Sequence, residues 1–299
     1  MGYFDLALSY KWEYDDHFII DIENIFQANG LTSFVINKNN VFEVTELLKS
    51  NNLRFKAYLD RASDEDEDFN EIADILTAKG IYIINHYKYI DDAIDKSIMH
   101  IKLQDTEINT PKTIIIPPYD DFPDFKINEK EMEKIGVPFI IKPAYYSGAG
   151  HGVEKNACNN EDILNARKIN PDDNYLIQER IIPKIIDGKR CWFRLFWAFG
   201  DIYITYWDDL THIYTEIKNT EKAFSYIPVL ENIVGRIAGI TKLDFFSTEV
   251  ALTDNGRFYI IDYVNDQCDM RKKSMHHDGV PDAVVDNIIR SMLQSIKTI

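Results

Sequence analysis

The stretch "IIKPAYYSGAGHGV", Ile140 to Val153, decides how the rest of the chain is read. A β-branched run leads into Lys142 and Pro143, and Gly148, Gly150 and Gly152 then fall within five positions. Glycine adopts positive φ without a Cβ clash, so consecutive N–H groups in such a loop can turn toward an anion. A lysine at the base of a glycine flap therefore suits phosphate. The spacing is not G-x-x-x-x-G-K-[ST], which excludes a Walker P-loop. Taken alone, the stretch reads equally as a glycine-rich hairpin beside an unrelated surface lysine.

Upstream, from Tyr3 to about Ile84, strand-like runs ("YFDLALS", "LTSFVIN", "RFKAYLD", "IYIIN") alternate with helix-period segments. Gly30 and Gly80 stand where two of those helices should stop. Strands alternating with helices predict a parallel sheet covered on both faces, a doubly wound α/β unit. "ALSYKWEYDD" carries no G-x-G-x-x-G, so it is not a dinucleotide fingerprint. Asp60 and Arg61 end the third strand, where open α/β sheets place ligands. "IDDAIDKSIMHIKLQDT" is then predicted as one apolar-faced helix, followed by a strand closed by Pro117 and Pro118. The C-terminal part is strand-rich, with "TDNGRF" as a hairpin turn and "PDAVVDNIIRSMLQSIKTI" as an amphipathic helix. The expected organisation is an α/β unit over 1–95, a central unit over 96–175 and a C-terminal α+β unit over 176–299.

Composition restricts the possibilities further. A chain of 299 residues with ordinary apolar and charged content is globular. Its net charge of −16 argues against a nucleic-acid backbone or an anionic membrane as partner. Cys158, Cys191 and Cys268 are widely spaced with no CxxC, so they read as buried small side chains in a reducing compartment. No basic leader or long apolar run is present, and Leu6 breaks the myristoylation pattern, so the cytoplasm is the expected location.

Three features carry chemistry. Arg194 lies in the otherwise aromatic strand "CWFRLFWAFG", where an unpaired buried guanidinium would be costly, so it should meet an anion. "FFSTEVALTDNGRFYIIDYVND" places Glu249 on one strand of a hairpin and Asp262 with Asn265 on the other. Two carboxylates and an amide oxygen form an all-oxygen set that suits magnesium bridging nucleotide phosphates. "YWDDLTHIY", with Trp207, Asp208, His212 and Tyr214, lies between them and reads as core packing or as an acceptor-site wall.

In order, "DKSIMHIKLQDTEINTP", "PFIIKPAYYSGAGHGV", "LIQER", "WFRLF" and "STEVALTDNGRFYIIDYVN" resemble the ATP-grasp superfamily, specifically its carboxylate-amine ligases such as the ribosomal-protein glutamate ligases and the D-alanine-D-alanine ligases. The resemblance covers about Lys96 to Met270, with the preceding α/β unit similar to the family's N-terminal domain. It implies that Lys96 and Lys142 hold the α- and β-phosphates of ATP. The flap, with Ser147, Gly148, Gly150, His151, Gly152 and Val153, would close over the triphosphate. Gln178, Glu179 and Ile181 would lie at the adenine, and Asp187 would be the ribose contact. Arg194 and Lys142 would be catalytic, and Glu249, Asp262 and Asn265 would hold Mg2+.

The implied reaction joins a small-molecule or peptide carboxylate to an amine through an acyl phosphate. The alternatives are a small-molecule kinase of the same superfamily or an ATP-binding regulatory protein without turnover, and a homodimer is a fair base expectation. The family's last motif usually reads Glu-x-Asn, whereas "DYVN" spaces Asp262 and Asn265 one position further apart. Either a β-bulge restores their facing or one ligand differs. Asp269 and Arg271 follow in a loop that reads as substrate-facing or as plain surface. His151 is the unusual member of the flap: His151→Ala should raise the Michaelis constant for ATP, and an unchanged constant in steady-state assays would remove it from the phosphate site.

Overall fold

The computed structural model describes residues 2–146 and 150–299. Four strands, β1 (Gly2–Tyr10), β2 (Ser33–Ile36), β3 (Leu53–Arg61) and β4 (Tyr82–Ile84), alternate with helices α1 (Asp16–Ala28), α2 (Val41–Lys49) and α3 (Asn70–Ala78). They form a parallel sheet in the order β2-β1-β3-β4, as the alternation predicts. Gly30 and Gly80 follow α1 and α3 with φ of 75° and 68°, a conformation in which a Cβ is penalised.

The run read as one helix is two, α4 (Tyr87–Ile94) and α5 (Lys96–Gln104). Asp95 breaks it: its backbone leaves the helical region at φ −69° and ψ 108°, and its carboxylate accepts from the N–H groups of Ser97 and Ile98. A capping aspartate satisfies the free donors of a new helix start, and this one sets Lys96 at the first turn of α5.

A second sheet is antiparallel, in the order β5-β8-β6-β7. Its strands are β5 (Thr113–Ile116), β6 (Phe139–Pro143), β7 (Glu154–Ala157) and β8 (Tyr175–Glu179), with α6 (Glu129–Ile135) and α7 (Asn160–Arg167) between them. A border at 175 would pass through the start of β8. Cys158, at the junction of β7 and α7, is exposed rather than buried, whereas Cys191 and Cys268 are buried free thiols. The junction needs its backbone for capping, since the Cys158 N–H donates to Asp162 Oδ2 at 2.7 Å.

After the small hairpin β9 (Ile185–Ile186) and β10 (Lys189–Arg190) comes β11 (Trp192–Ala198), followed by β12 (Asp201–Trp207) and β13 (Tyr214–Glu216). Helix α8 (Ile227–Thr241) leads to β14 (Phe245–Leu252) and β15 (Phe258–Asn265), and α9 (Asp282–Thr298) ends the chain. The third sheet is antiparallel, in the order β13-β12-β11-β14-β15.

Strand alternation gives this sheet two different faces. Phe193, Leu195, Val250, Leu252 and Ile260 pack with Leu230, Val234 and Ile237 of α8. The opposite face is divided. Phe196, Ala198, Tyr214 and Phe245 join a core with Leu6, Leu8, Ala57 and Leu59 of the parallel sheet, closed by α1 and α9. Trp192, Arg194, Trp207 and Glu249 occupy the remainder. Helices α2 and α3 cover the other side of the parallel sheet through Val41, Val44, Leu48, Ile72 and Leu76. Among the described residues no helix is long and apolar enough to cross a membrane.

The strand-end pair Asp60 and Arg61 is engaged internally. Asp60 accepts from Ser9 Oγ, Ser63 Oγ and Tyr87 OH. Arg61 pairs with Asp15 at 2.7 Å and 2.9 Å and donates to the Cys268 carbonyl at 2.9 Å, so it ties the parallel sheet to the segment after β15. Burial works against the Arg61 charge, but Asp15 outweighs it and holds the guanidinium above its ordinary pKa. Both members are buried, so removing one strands the other's charge. Asp15→Ala should cost about 3–5 kcal/mol in urea unfolding; a change below about 1 kcal/mol would show that this tie does not hold the two units together.

Candidate active site

The hairpin of β14 and β15 organises the site. Its turn is closed by Asn255, whose Oδ1 accepts from the Thr253 hydroxyl and the Arg257 N–H, and Gly256 takes φ of 79°. Along the ladder Glu249 faces Asp262 and Ser247 faces Asn265, with two register irregularities between Ser247 and Val250. Two steps on β14 are thus matched by three on β15. The bulge absorbs the extra position of "DYVN" and sets Asp262 and Asn265 at register positions on the side that carries Glu249.

Cations meet these carboxylates from three elements. Arg194 sits directly across from Glu249 in the β11–β14 register, and its Nη2 approaches Glu249 Oε1 at 2.6 Å. The second carboxylate oxygen of Glu249 accepts from Trp192 Nε1 at 3.0 Å. From the start of α5, Lys96 Nζ lies 3.5 Å from Asp262 Oδ1. Lys142, on β6, donates to the Ile261 carbonyl at 2.9 Å, one residue from Asp262. The anion that the sequence demanded for Arg194 is therefore Glu249.

These charges shape one another. Burial raises the Glu249 pKa, with Arg194 opposing and Asp262 adding to the rise. Burial also works against the Asp262 charge, but Lys96, Lys142 and Arg194 outweigh it, and its carboxyl is held below the ordinary range. The Lys142 ammonium is pushed down by burial, with Asp262 opposing and Lys96 adding to the push. Arg194 stays charged: burial disfavours it, but Glu249 more than compensates and lifts its pKa. Asp262 Oδ1 is buried without a hydrogen-bond partner, and so is Arg194 Nε. Such atoms are costly unless a ligand meets them.

Among the described residues no three His, Cys, Asp or Glu side chains gather as a metal cluster. The donor set is two carboxylates with Asn265 in register. Magnesium commonly takes one or two carboxylates and completes its shell with phosphate and water, so an all-oxygen set with an unsatisfied carboxylate oxygen fits it.

The flap candidates divide. Ser147 and Gly148 lie outside the described residues. Gly150 and Gly152 take φ of 78° and 68°. A Cβ on Gly152 would come within 2.9 Å of Pro143 Cγ, so the flap returns tightly against the residue after Lys142. His151 is exposed, and the Val153 N–H closes a turn onto the Gly150 carbonyl at 3.2 Å. Gln178 is buried and donates to Thr113 Oγ1 at 3.0 Å and to Tyr263 OH at 2.9 Å. Glu179 accepts from the Lys112 N–H at 2.9 Å, and Ile181 is half-buried just beyond β8. Asp187 occupies the exposed turn of the β9–β10 hairpin with φ of 51°. Arg271 is held by Asp269 at 2.7 Å and Asp278 at 3.1 Å beneath the rings of Trp12 and Tyr14, so Asp269 and Arg271 pair with each other.

Sequence reading missed a buried network. Tyr263 OH lies 2.7 Å from His100 Nδ1, whose other nitrogen lies 3.0 Å from Gln104 Nε2, while Gln178 reaches the same hydroxyl. Burial lowers the His100 pKa. The network joins the helix of Lys96, the strand of Asp262 and the strand of Gln178. No local signal in the sequence marks it, because its members come from three separate elements.

No family model and no curated protein sequence matches the chain. Solved structures do match it along its length. The chain is similar to D-alanine–D-alanine ligase from Bacillus anthracis complexed with ATP, at 15% identity, covering 100% of this chain and 98% of that one with a TM-score of 0.68. It is also similar to a RimK domain ATP-grasp protein from Sphaerobacter thermophilus, at 16% identity, 98% and 99% coverage and a TM-score of 0.63. A third is the macrocyclase MdnC from Microcystis aeruginosa bound with the precursor peptide MdnA, at 12% identity, 97% and 99% coverage and a TM-score of 0.64. The chain has the ATP-grasp fold.

Tyr263→Phe would leave His100 and Gln178 facing a position without oxygen. It should lower unfolding free energy by about 1–3 kcal/mol in urea titration, and an unchanged midpoint would show that the network holds nothing in place.

Proposed function

We propose that the protein is an ATP-dependent ligase that joins a carboxylate to an amine through an acyl phosphate, releasing ADP and phosphate. The observation that carries this reading is the meeting of Lys96, Lys142 and Arg194 with Glu249 and Asp262, two of whose polar atoms are buried and unsatisfied. The fold supports it, as do solved relatives of that fold that are ligases or bind precursor peptides, so small molecules and peptides are both the places to look for the acid and the amine.

In this reading Lys96 and Lys142 receive the α- and β-phosphates, and Gln178, Glu179 and Ile181 border the base. Glu249, Asp262 and Asn265 would hold Mg2+, which when bound neutralises phosphate charge and orients the triphosphate. The substrate carboxylate attacks the γ-phosphorus, the bond to the β-bridging oxygen breaks, and Arg194 stabilises the charge spread over the transferring group. The amine then adds to the acyl carbon and phosphate leaves. Phosphoryl transfer is driven mostly by positioning and charge neutralisation, so no side-chain nucleophile is required. The flap from Ser147 to Val153 would exclude water from the acyl phosphate, and Asp187 remains the candidate ribose contact.

The Glu249 pairing changes how Arg194 should be tested. Arg194→Ala would leave Glu249 buried and uncompensated, and so would weaken the fold as well as the chemistry. Arg194→Lys keeps the counter-charge but loses the guanidinium fork. It should lower turnover by roughly 10²–10³-fold with the melting temperature nearly unchanged. The assay is ATP-dependent phosphate release with pooled carboxylates, amino acids and polyamines. Amine-dependent release supports the ligase, and release absent with every acceptor overturns it in favour of a binding protein.

A further inference from the structure

The 208–213 turn is built more elaborately than a connection between two strands requires. Asp208 accepts from the N–H groups of Leu210 and Thr211 at 2.9 Å and 2.8 Å, and its own N–H donates to the Ile213 carbonyl at 3.1 Å. Asp209 makes a two-point pair with Arg190 of β10, at 2.5 Å and 2.7 Å. His212 takes φ of 60°, the left-handed region that favours glycine, with its N–H on the Asp208 carbonyl at 2.8 Å. Strain of this kind persists where the surroundings hold it, and it points to a use.

The use is visible in the rings. The His212 imidazole stacks on Trp207 with centroids 5.1 Å apart and planes 12° from parallel. The Arg194 guanidinium lies over the same indole, 4.8 Å from its centroid. Arg194 needs such a surface. It is 8% exposed, yet beyond Glu249 its only side-chain hydrogen bond among the described residues is to Ser247 Oγ at 3.4 Å, and its Nε has no partner. One short ion pair fixes a point, not a plane, whereas an aromatic face restrains the guanidinium's orientation.

We propose that Trp207, backed by His212 on its strained turn, is a positioning residue that sets the plane of Arg194 for phosphoryl transfer. The inference rests on the role given to Arg194 above.

Variants of Trp207, His212 and Arg194 test it, read by an arginine resonance, by kcat and by melting temperature. The Nε–H resonance of Arg194, observed with nitrogen-15 arginine labelling and assigned through Arg194→Lys, reports the stack without any turnover. Trp207→Leu should move that resonance by removing the ring current and lower kcat about tenfold at an unchanged Michaelis constant for ATP. Trp207→Phe should retain most of both. His212→Gly relieves the backbone strain, so its melting temperature should hold or rise, yet the resonance should move the same way and kcat should fall. Trp207→Leu added to Arg194→Lys should cause no further loss of kcat. A resonance unmoved in Trp207→Leu overturns the proposal, as does a kcat that falls only in step with melting temperature. If no acceptor supports turnover at all, the ligase reading fails while the resonance still decides whether the stack holds Arg194.

Discussion

Arg194 and Glu249 face each other across the β11–β14 register at 2.6 Å, both buried. Neither charge could be kept there alone, because desolvating a lone ion costs several kcal/mol. Their pairing obliges the third sheet to hold one register, and that register sets where Asp262 and Asn265 stand on the next strand. Lys96 then closes on Asp262 from α5, and Lys142 of β6 reaches the backbone carbonyl one residue before it. Three cations and two carboxylates so leave a cationic locus inside a chain whose net charge is −16. Overall charge says little about a site whose field is set by a few desolvated neighbours.

The same arrangement explains why the two carboxylates differ. Asp262 faces three positive groups and is held ionised, whereas Glu249, more deeply buried beside Asp262, is pushed the other way. Two like charges close together rarely titrate alike. The structure thus holds its buried cations and carboxylates against one another, and under the proposed function a ligand that brings both phosphate and metal would replace these pairs without stranding either partner.

Much of this was legible in the sequence, for physical reasons that differ by element. The parallel unit was readable because period-two runs such as "YFDLALS" and terminal glycines at 30 and 80 report local geometry directly. Arg194 was readable because a guanidinium among aromatic residues requires an anion, although its partner could only be found in the ladder. "DYVN" posed the bulge as one of two possibilities, and the register shows it. What stayed hidden depends on contacts far apart in the chain. Asp95 looks like a polar position within one helix until its carboxylate is seen capping the next. The hydroxyl of Tyr263 meets His100 and Gln178 only once three elements are assembled, and Trp207 and His212 gave no sign in the sequence that they would stack.

Helix α9 has a consequence for how the chain reaches this state. Its Val285, Ile288, Ile289, Met292 and Leu293 complete the core beneath β1 and β3, and Lys56 of β3 donates to the Ile296 carbonyl at 2.6 Å. The parallel sheet, synthesised before α9, therefore keeps one face incompletely covered until this 17-residue helix emerges. During synthesis, nascent chains longer than the parallel unit still expose apolar strand surface, a natural hold point for chaperones. Because Phe245 of β14 shares that core, the third sheet and the parallel sheet settle together once α9 is made.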